Sequence, residues 1–120
     1  MGGIGADKLK GGDDDDVLIA GHTSYDANLA ALNALRSEWI SCGNYATRVN
    51  NLRTGGGLTA GYKLIGDDGT TQTVFNDNDI DTLDGEKDLD VFWANLVADN
   101  GGLLDIVKSR SGESKWDTDF

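Results

Sequence analysis

Residues 2–26 read GGIGADKLK-GGDDDDVLI-AGHTSYD, two nine-residue units and the start of a third. Gly2, Gly3, Gly5 and Asp7 fill the first unit, with Leu9 as its inward apolar residue. Gly11, Gly12, Asp16 and Leu18 fill the second, and Asp14 stands where the first unit has Gly5. Few architectures accept this period. A run of Gly and Asp makes a turn, because glycine takes positive φ and lets backbone carbonyls converge, while Asp closes Asx-type turns. Three further residues make a short strand whose central side chain points inward. Two units would complete one coil, so every second turn would stack along one edge. That places turn 2–7 beneath turn 20–26, with Asp7 and Asp26 facing one gap. Carbonyls and carboxylates meeting there offer the all-oxygen shell that suits Ca²⁺, a hard cation of flexible coordination. Leu9, Val17, Leu18 and Ile19 fall at the apolar positions and proline is absent, both of which argue against a flexible linker.

The first unit matches G-G-x-G-x-D-x-U-x at every defined position, and in this the chain resembles the repeats-in-toxin (RTX) family of secreted bacterial proteins. The resemblance implies calcium ions held between turns by turn carbonyls and the sixth-position Asp. Carried onto this sequence, it makes Gly2, Ile4, Gly11, Asp13, Ala20 and His22 candidate ligands through the turns. Asp7, Asp16 and Asp26 are the matching carboxylates. It also implies secretion, with calcium as the cofactor and an extracellular location.

Acidic residues outnumber basic ones 21 to 10, giving a net charge of −11, and Asp supplies 18 of the acids against three Glu. A merely solvated surface would draw on both, so the bias points to short carboxylates in turns. The charge argues against nucleic acid and anionic membranes as partners. A single cysteine, Cys42, excludes an internal disulfide and the thiolate zinc spacings. No apolar run reaches membrane-spanning length, and no basic-then-apolar leader opens the chain. The repeat is in register from Gly2, so we expect the C-terminal piece of a longer polypeptide, partnered by its preceding domains and monomeric.

The third unit carries one extra residue before Asp26. Asp26 then reads as a helix N-cap for Leu29, Leu32, Leu35 and Trp39 at helical spacing, and a second helix is expected from about 44 to 53 before Gly55, Gly56 and Gly57. Segment 58–75, LTAGYKLI and TQTVF around Gly66-Asp67-Asp68-Gly69, reads as a β-hairpin. Residues 76–93, NDNDIDTLD-GEKDLDVFW, return to the nine-residue period, with Asp81 and Asp90 at sixth positions and Leu83 and Phe92 inward. Their glycines are largely replaced by Asn and Asp, the next-best residues at positive φ. A helix-loop-helix calcium hand starting at Asp77 fails, because Thr82 stands where that loop needs Gly and Asp84 where it is apolar. The stretch that should stack on turn 11–16, at 29–34, reads as helix instead. One of the 76–93 turns is therefore expected to stack there, pairing Asp16 with Asp81 or Asp90. The tail, 94–120, holds an apolar strand at 103–107 and an acidic-apolar ending compatible with a C-terminal export signal.

The fold expected is mainly β with a helical insertion (α+β): one domain forming a short parallel β-roll of RTX type, capped by two helices and a β-hairpin. Its parts are repeats at 2–26, a helical insertion at 27–57, the hairpin at 58–75, degenerate repeats at 76–93 and the cap and tail at 94–120. Catalysis is not expected. His22 is the only histidine, Ser24 has no nucleophile-elbow context, and turn aspartates lack the apolar pocket that raises a catalytic pKa. The functional expectation is a calcium-binding module that folds on Ca²⁺ outside the cell and supports secretion and stability of a larger protein. The alternative is an adhesion or carbohydrate-binding module using Trp39, Trp93 and Trp116.

Overall fold

Each nine-residue stretch of the opening sequence becomes a Gly/Asp turn followed by a short strand. The structure, a computed structural model, describes residues 1–66, 71–97 and 103–118. Strands β1 (Lys8–Gly12), β2 (Val17–Ile19) and β3 (His22–Thr23) are followed by helices α1 (Leu29–Trp39) and α2 (Tyr45–Thr54). Then come β4 (Val74–Phe75), β5 (Thr82–Glu86), β6 (Val91–Ala94), β7 (Ile106–Lys108) and β8 (Ser114–Asp117).

Three small sheets result: β1-β5-β7 and β2-β6-β8, both parallel, and the antiparallel pair β3-β4. In the first, Leu9 lies opposite Leu83 and Leu83 opposite Val107. In the second, Leu18 lies opposite Phe92 and Trp93 opposite Trp116. Side chains alternate along a strand, and the core divides accordingly. Leu18, Phe92 and Ala94 pack with Leu83, Leu9 and Val107 between the two parallel sheets. Ile19, Val91 and Trp93 point the other way, onto Leu35, Trp39, Val49 and Leu52 of the helices. The central strand β6 is therefore apolar on both faces and buried at all four positions.

Helix α1 starts at Asn28, whose side chain accepts the Ala31 amide at 3.1 Å. Asp26, expected as the cap, instead accepts both the amide and the hydroxyl of Thr23. Helix α2 is capped by Asn44 and ends at Gly55, whose φ of 78° closes the left-handed C-terminal turn.

The short parallel β-roll of RTX type capped by two helices and a β-hairpin is not the fold observed. Among the described residues the domain is a small α+β unit of two helices and three small sheets. The roll would stack every second turn of one continuous run of repeats. The strands of 8–19 find their parallel neighbours beyond both helices, as expected for turn 11–16 but not for turn 2–7: Lys8 pairs with Thr82 and Val17 with Val91. The extra residue in the third unit lets Asp26 fold onto Thr23, so turn 20–26 presents no carboxylate to Asp7. The hairpin fails because Ala60 and Gly61 adopt φ of 55° and 85°, which breaks the extended run. Val74 and Phe75 pair with Thr23 and His22 instead. The tight turn expected around Asp67 and Asp68 lies outside the described residues, as do 98–102 and the last two residues of the acidic-apolar ending.

Candidate metal centre

Positive φ occurs at the second and fourth positions of three of the nine-residue units. The pairs are Gly3 (95°) and Gly5 (106°), Gly12 (98°) and Asp14 (70°), and Glu86 (70°) and Asp88 (66°). Asp14 thus reproduces the conformation of Gly5, as short polar side chains can. The unit 76–84 departs from this, with positive φ at Asn78 alone. The first-position glycine has a different cause. A Cβ on Gly2 would stand 2.8 Å from Asp7 Oδ2, and one on Gly11 would stand 2.7 Å from Asp16 Oδ2. A Cβ on Gly85 would collide with Asp90 Oδ2. In these three turns the sixth-position carboxylate folds back over the first residue of its own turn, where glycine leaves the space; the turn of Asp81 opens with Asn76 instead.

The other carboxylate oxygen ties neighbouring layers together. Asp81 Oδ1 accepts the Asp7 amide at 2.6 Å, and Asp105 Oδ1 accepts the Asp81 amide at 2.9 Å. On the second edge, Asp90 Oδ1 accepts the Asp16 amide at 2.7 Å, and Glu113 Oε1 accepts the Asp90 amide at 3.4 Å. Flanking acids repeat the device: Asp77 accepts from Gly5, Asp88 from Asp14, and Asp15 from Leu89.

Among the described residues four buried carboxylate oxygens are left over. Oδ2 of Asp7, Asp16, Asp81 and Asp90 is buried with no hydrogen-bond partner. Asp81 and Asp90 are themselves 1% and 0% exposed. Burial pushes both carboxyls up to about 6, the amides of Asp7 and Asp16 resisting and neighbouring carboxylates adding to the rise. Burial also raises Asp16, with Asp14 and Asp15 contributing, and Asp105. Asp15 behaves oppositely. Burial pushes it up, but the Leu89 amide and the Arg48 guanidinium at 2.6 Å together hold it below the usual carboxylate range.

The sequence-predicted ligands therefore separate. Asp7 meets Asp81, and Asp16 meets Asp90 rather than Asp81. Gly2 and Gly11 sit under the carboxylates of Asp7 and Asp16. The side chain of Ile4 is 84% exposed, and Asp13 pairs with Lys87 at 2.8 Å on the surface. Ala20 donates its amide to Trp93 and packs in the core between the sheets. His22 stacks on Phe75 at 5.3 Å, and Asp26 is occupied by Thr23. Among the described residues no group of three or more His, Cys, Asp or Glu side chains converges to hold a metal ion. Any cation here would rest on a pair of carboxylates completed by carbonyls or water. The orphaned Oδ2 atoms and the oxygen-only donor set fit a hard cation of that kind.

Sequence reasoning missed Asp77, Asp88, Asp105 and Glu113 as partners in these edges. A signal existed for the last two: an acid directly before a short strand recurs in Asp7-Lys-Leu, Asp81-Thr-Leu and Asp105-Ile-Val, and in Asp16-Val-Leu, Asp90-Val-Phe and Glu113-Ser-Lys. The chain matches no protein-family model, no curated protein and no solved structure.

Proposed function

We propose that this chain is a calcium-binding module of an extracellular protein, stabilised by cations seated at the carboxylate pairs Asp7/Asp81 and Asp16/Asp90. The observation that carries this is the state of Asp81 and Asp90. Both are fully buried, and each has one oxygen bonded to a neighbouring layer's amide and the other with no partner. A buried, uncompensated carboxylate destabilises a fold, and a cation removes that cost. Oxygen-only donors favour Ca²⁺, which tolerates irregular shells, over Mg²⁺, which demands near-octahedral geometry. The likeness of residues 2–10 to RTX repeats supports the same cation and an exported setting. In this proposal, low cytosolic calcium leaves the turns loose, and calcium outside the cell tightens them by coupling binding to folding.

The sugar-stacking alternative finds less support. Trp39 and Trp93 are buried, and the Arg53 guanidinium lies 3.6 Å from the centre of the Trp116 ring.

The test is thermal denaturation followed by circular dichroism in chelator and across a calcium titration. The expected result is a rise in Tm with a midpoint near the ~10⁻⁴–10⁻³ M typical of extracellular modules, and a smaller rise with magnesium. Identical melting in chelator and in saturating calcium overturns the proposal.

A further inference from the structure

Between α1 and strand β2 lies a cavity of about 200 Å³. Its wall is largely apolar: Met1, Val17 and Ile19 line it together with Leu32, Leu35, Leu52 and Leu64. This cavity opens to solvent on one side; an enclosed apolar one of about 150 Å³ takes up benzene. By the same measure this one holds a chain of about six to eight carbons.

The chemistry at its rim narrows the ligand. Three polar side chains contribute to the lining: Thr23, Trp39 and Arg36. Two are already used internally. Thr23 Oγ1 donates to Asp26 and accepts from Tyr25, and Trp39 Nε1 donates to the Asp15 carbonyl at 2.7 Å. Arg36, exposed in the last turn of α1, has no side-chain partner among the described residues. An unpaired guanidinium at the mouth of an apolar cavity, on a chain of net charge −11, is a local exception to the protein's field. Guanidinium binds carboxylates in a planar two-point fork.

We propose that this cavity binds a medium-chain carboxylate, its tail among Leu32, Leu35 and Leu52 and its carboxylate on Arg36. No carboxylate lines the cavity, so the proposal does not rest on the cation reading.

The test uses octanoate as the probe, with octanol as the neutral analogue and octylamine as the charge-reversed one. Binding is read by calorimetry and by the shift in Tm, in chelator and in calcium. Octanoate should bind about threefold to fivefold more tightly than octanol at low salt, the scale of one solvent-exposed ion pair. Octylamine, favoured by the overall charge, should bind no better than octanol. Arg36→Gln should bring octanoate down to the octanol value while leaving octanol unchanged. Leu32→Trp, which fills the cavity from a half-buried position, should abolish binding of both. The proposal is overturned if octanoate gives neither heat nor a Tm shift, if octylamine matches it, or if the Leu32→Trp chain, folded by circular dichroism, binds octanoate as the parent does. Should Leu32→Trp not fold, equal octanoate affinity in Arg36→Gln and the parent overturns it alone.

Discussion

Gly11→Ala tests whether the nine-residue motif places its first glycine for the reason given above. The φ of Gly11 is not in the left-handed region, so alanine is conformationally allowed and the effect should be steric. The added Cβ would lie 2.7 Å from Asp16 Oδ2, 3.2 Å from Asp16 Cβ and 2.7 Å from the Gly85 carbonyl oxygen. A flexible carboxylate tip could swing away, but the Gly85 carbonyl belongs to β5, which is paired with β1 along Lys8–Gly12. Relief requires moving one strand against the other or expelling the Asp16 side chain. Overpacking of this kind costs about 1–3 kcal/mol. In a domain of this size that lowers Tm by roughly 5–12 °C. Gly43→Ala is the control, because its Cβ would find nothing nearer than Arg48 Cγ at 3.5 Å, and it should be neutral or slightly stabilising. Both variants are melted in chelator and titrated with calcium. Gly11→Ala should melt lower and need more calcium for half-maximal stabilisation. Equal melting of the two variants would refute the steric account, and an unchanged calcium midpoint would remove Asp16 from the ligand set.

The remaining expectations concern charge. In the folded, cation-free chain the Asp90 carboxyl at about 6 holds its proton more tightly than an unfolded one at 3.8, so its contribution to stability is complete below 3.8 and lost as pH rises through 6. Asp90→Asn should therefore melt higher than the parent in chelator at pH 7.5, lose that advantage by about pH 4, and gain less from calcium; a lower Tm in chelator at pH 7.5 would contradict this. Arg48→Met removes the 2.6 Å ion pair with Asp15, the bond to the Trp39 carbonyl and the stack on the Trp39 ring. It should cost about 1–3 kcal/mol in urea unfolding, and a double-mutant cycle with Asp15→Asn that shows no coupling would count against the pair.

How much of this was legible beforehand depended on how local the cause was. The nine-residue period could be read because its causes lie within one turn: Gly at the first position makes room for the carboxylate at the sixth, and positive φ recurs at the second and fourth. Helix α2 was legible from Tyr45, Val49 and Leu52 on one face and Gly55 at its end, again local features. The partnership of 8–19 with 82–94 reaches across both helices and β4, and no local pattern selects between Asp81 and Asp90 for Asp16. The hairpin at 58–75 misled because Leu58–Ile65 has strand-like composition, yet Ala60 and Gly61 turn the backbone. The third layer was obscured because the Gly101-Gly102 pair stands one residue nearer to Asp105 than the pairs of the first two turns stand to Asp7 and Asp16, and Glu113 follows a single glycine, so only the acid-then-strand recurrence remained.

The two acidic edges are held unequally, and this sets where calcium should act first. Among the described residues, Trp39 of α1 and Tyr45 and Arg48 of α2 send hydrogen bonds to the second edge. Trp39 Nε1 and Arg48 both reach Asp15, and the Tyr45 hydroxyl donates to the Asp90 carbonyl at 2.6 Å while accepting the Ser114 amide at 2.8 Å. That phenol joins the second and third layers without any cation. Among the described residues the first edge has no such brace: Asp7, Asp77, Asp81 and Asp105 draw their partners from turn and strand backbone, and Gly5 and Asp7 depend on the carboxylates of Asp77 and Asp81. Repulsion on the second edge is partly offset by Arg48 and Lys87, whereas the Asp7, Asp77, Asp81 and Asp105 carboxylates have no cationic side chain against them among the described residues. Local opening follows local contact, so the first edge should be the less protected one in chelator. Amide hydrogen exchange should find Gly5, Asp7 and Thr82 exchanging faster than Asp16, Leu89 and Val91. Calcium should then slow the first group by a larger factor than the second. If the second group gains the greater protection, the helical brace does not pre-order its edge, and the division between the two edges fails.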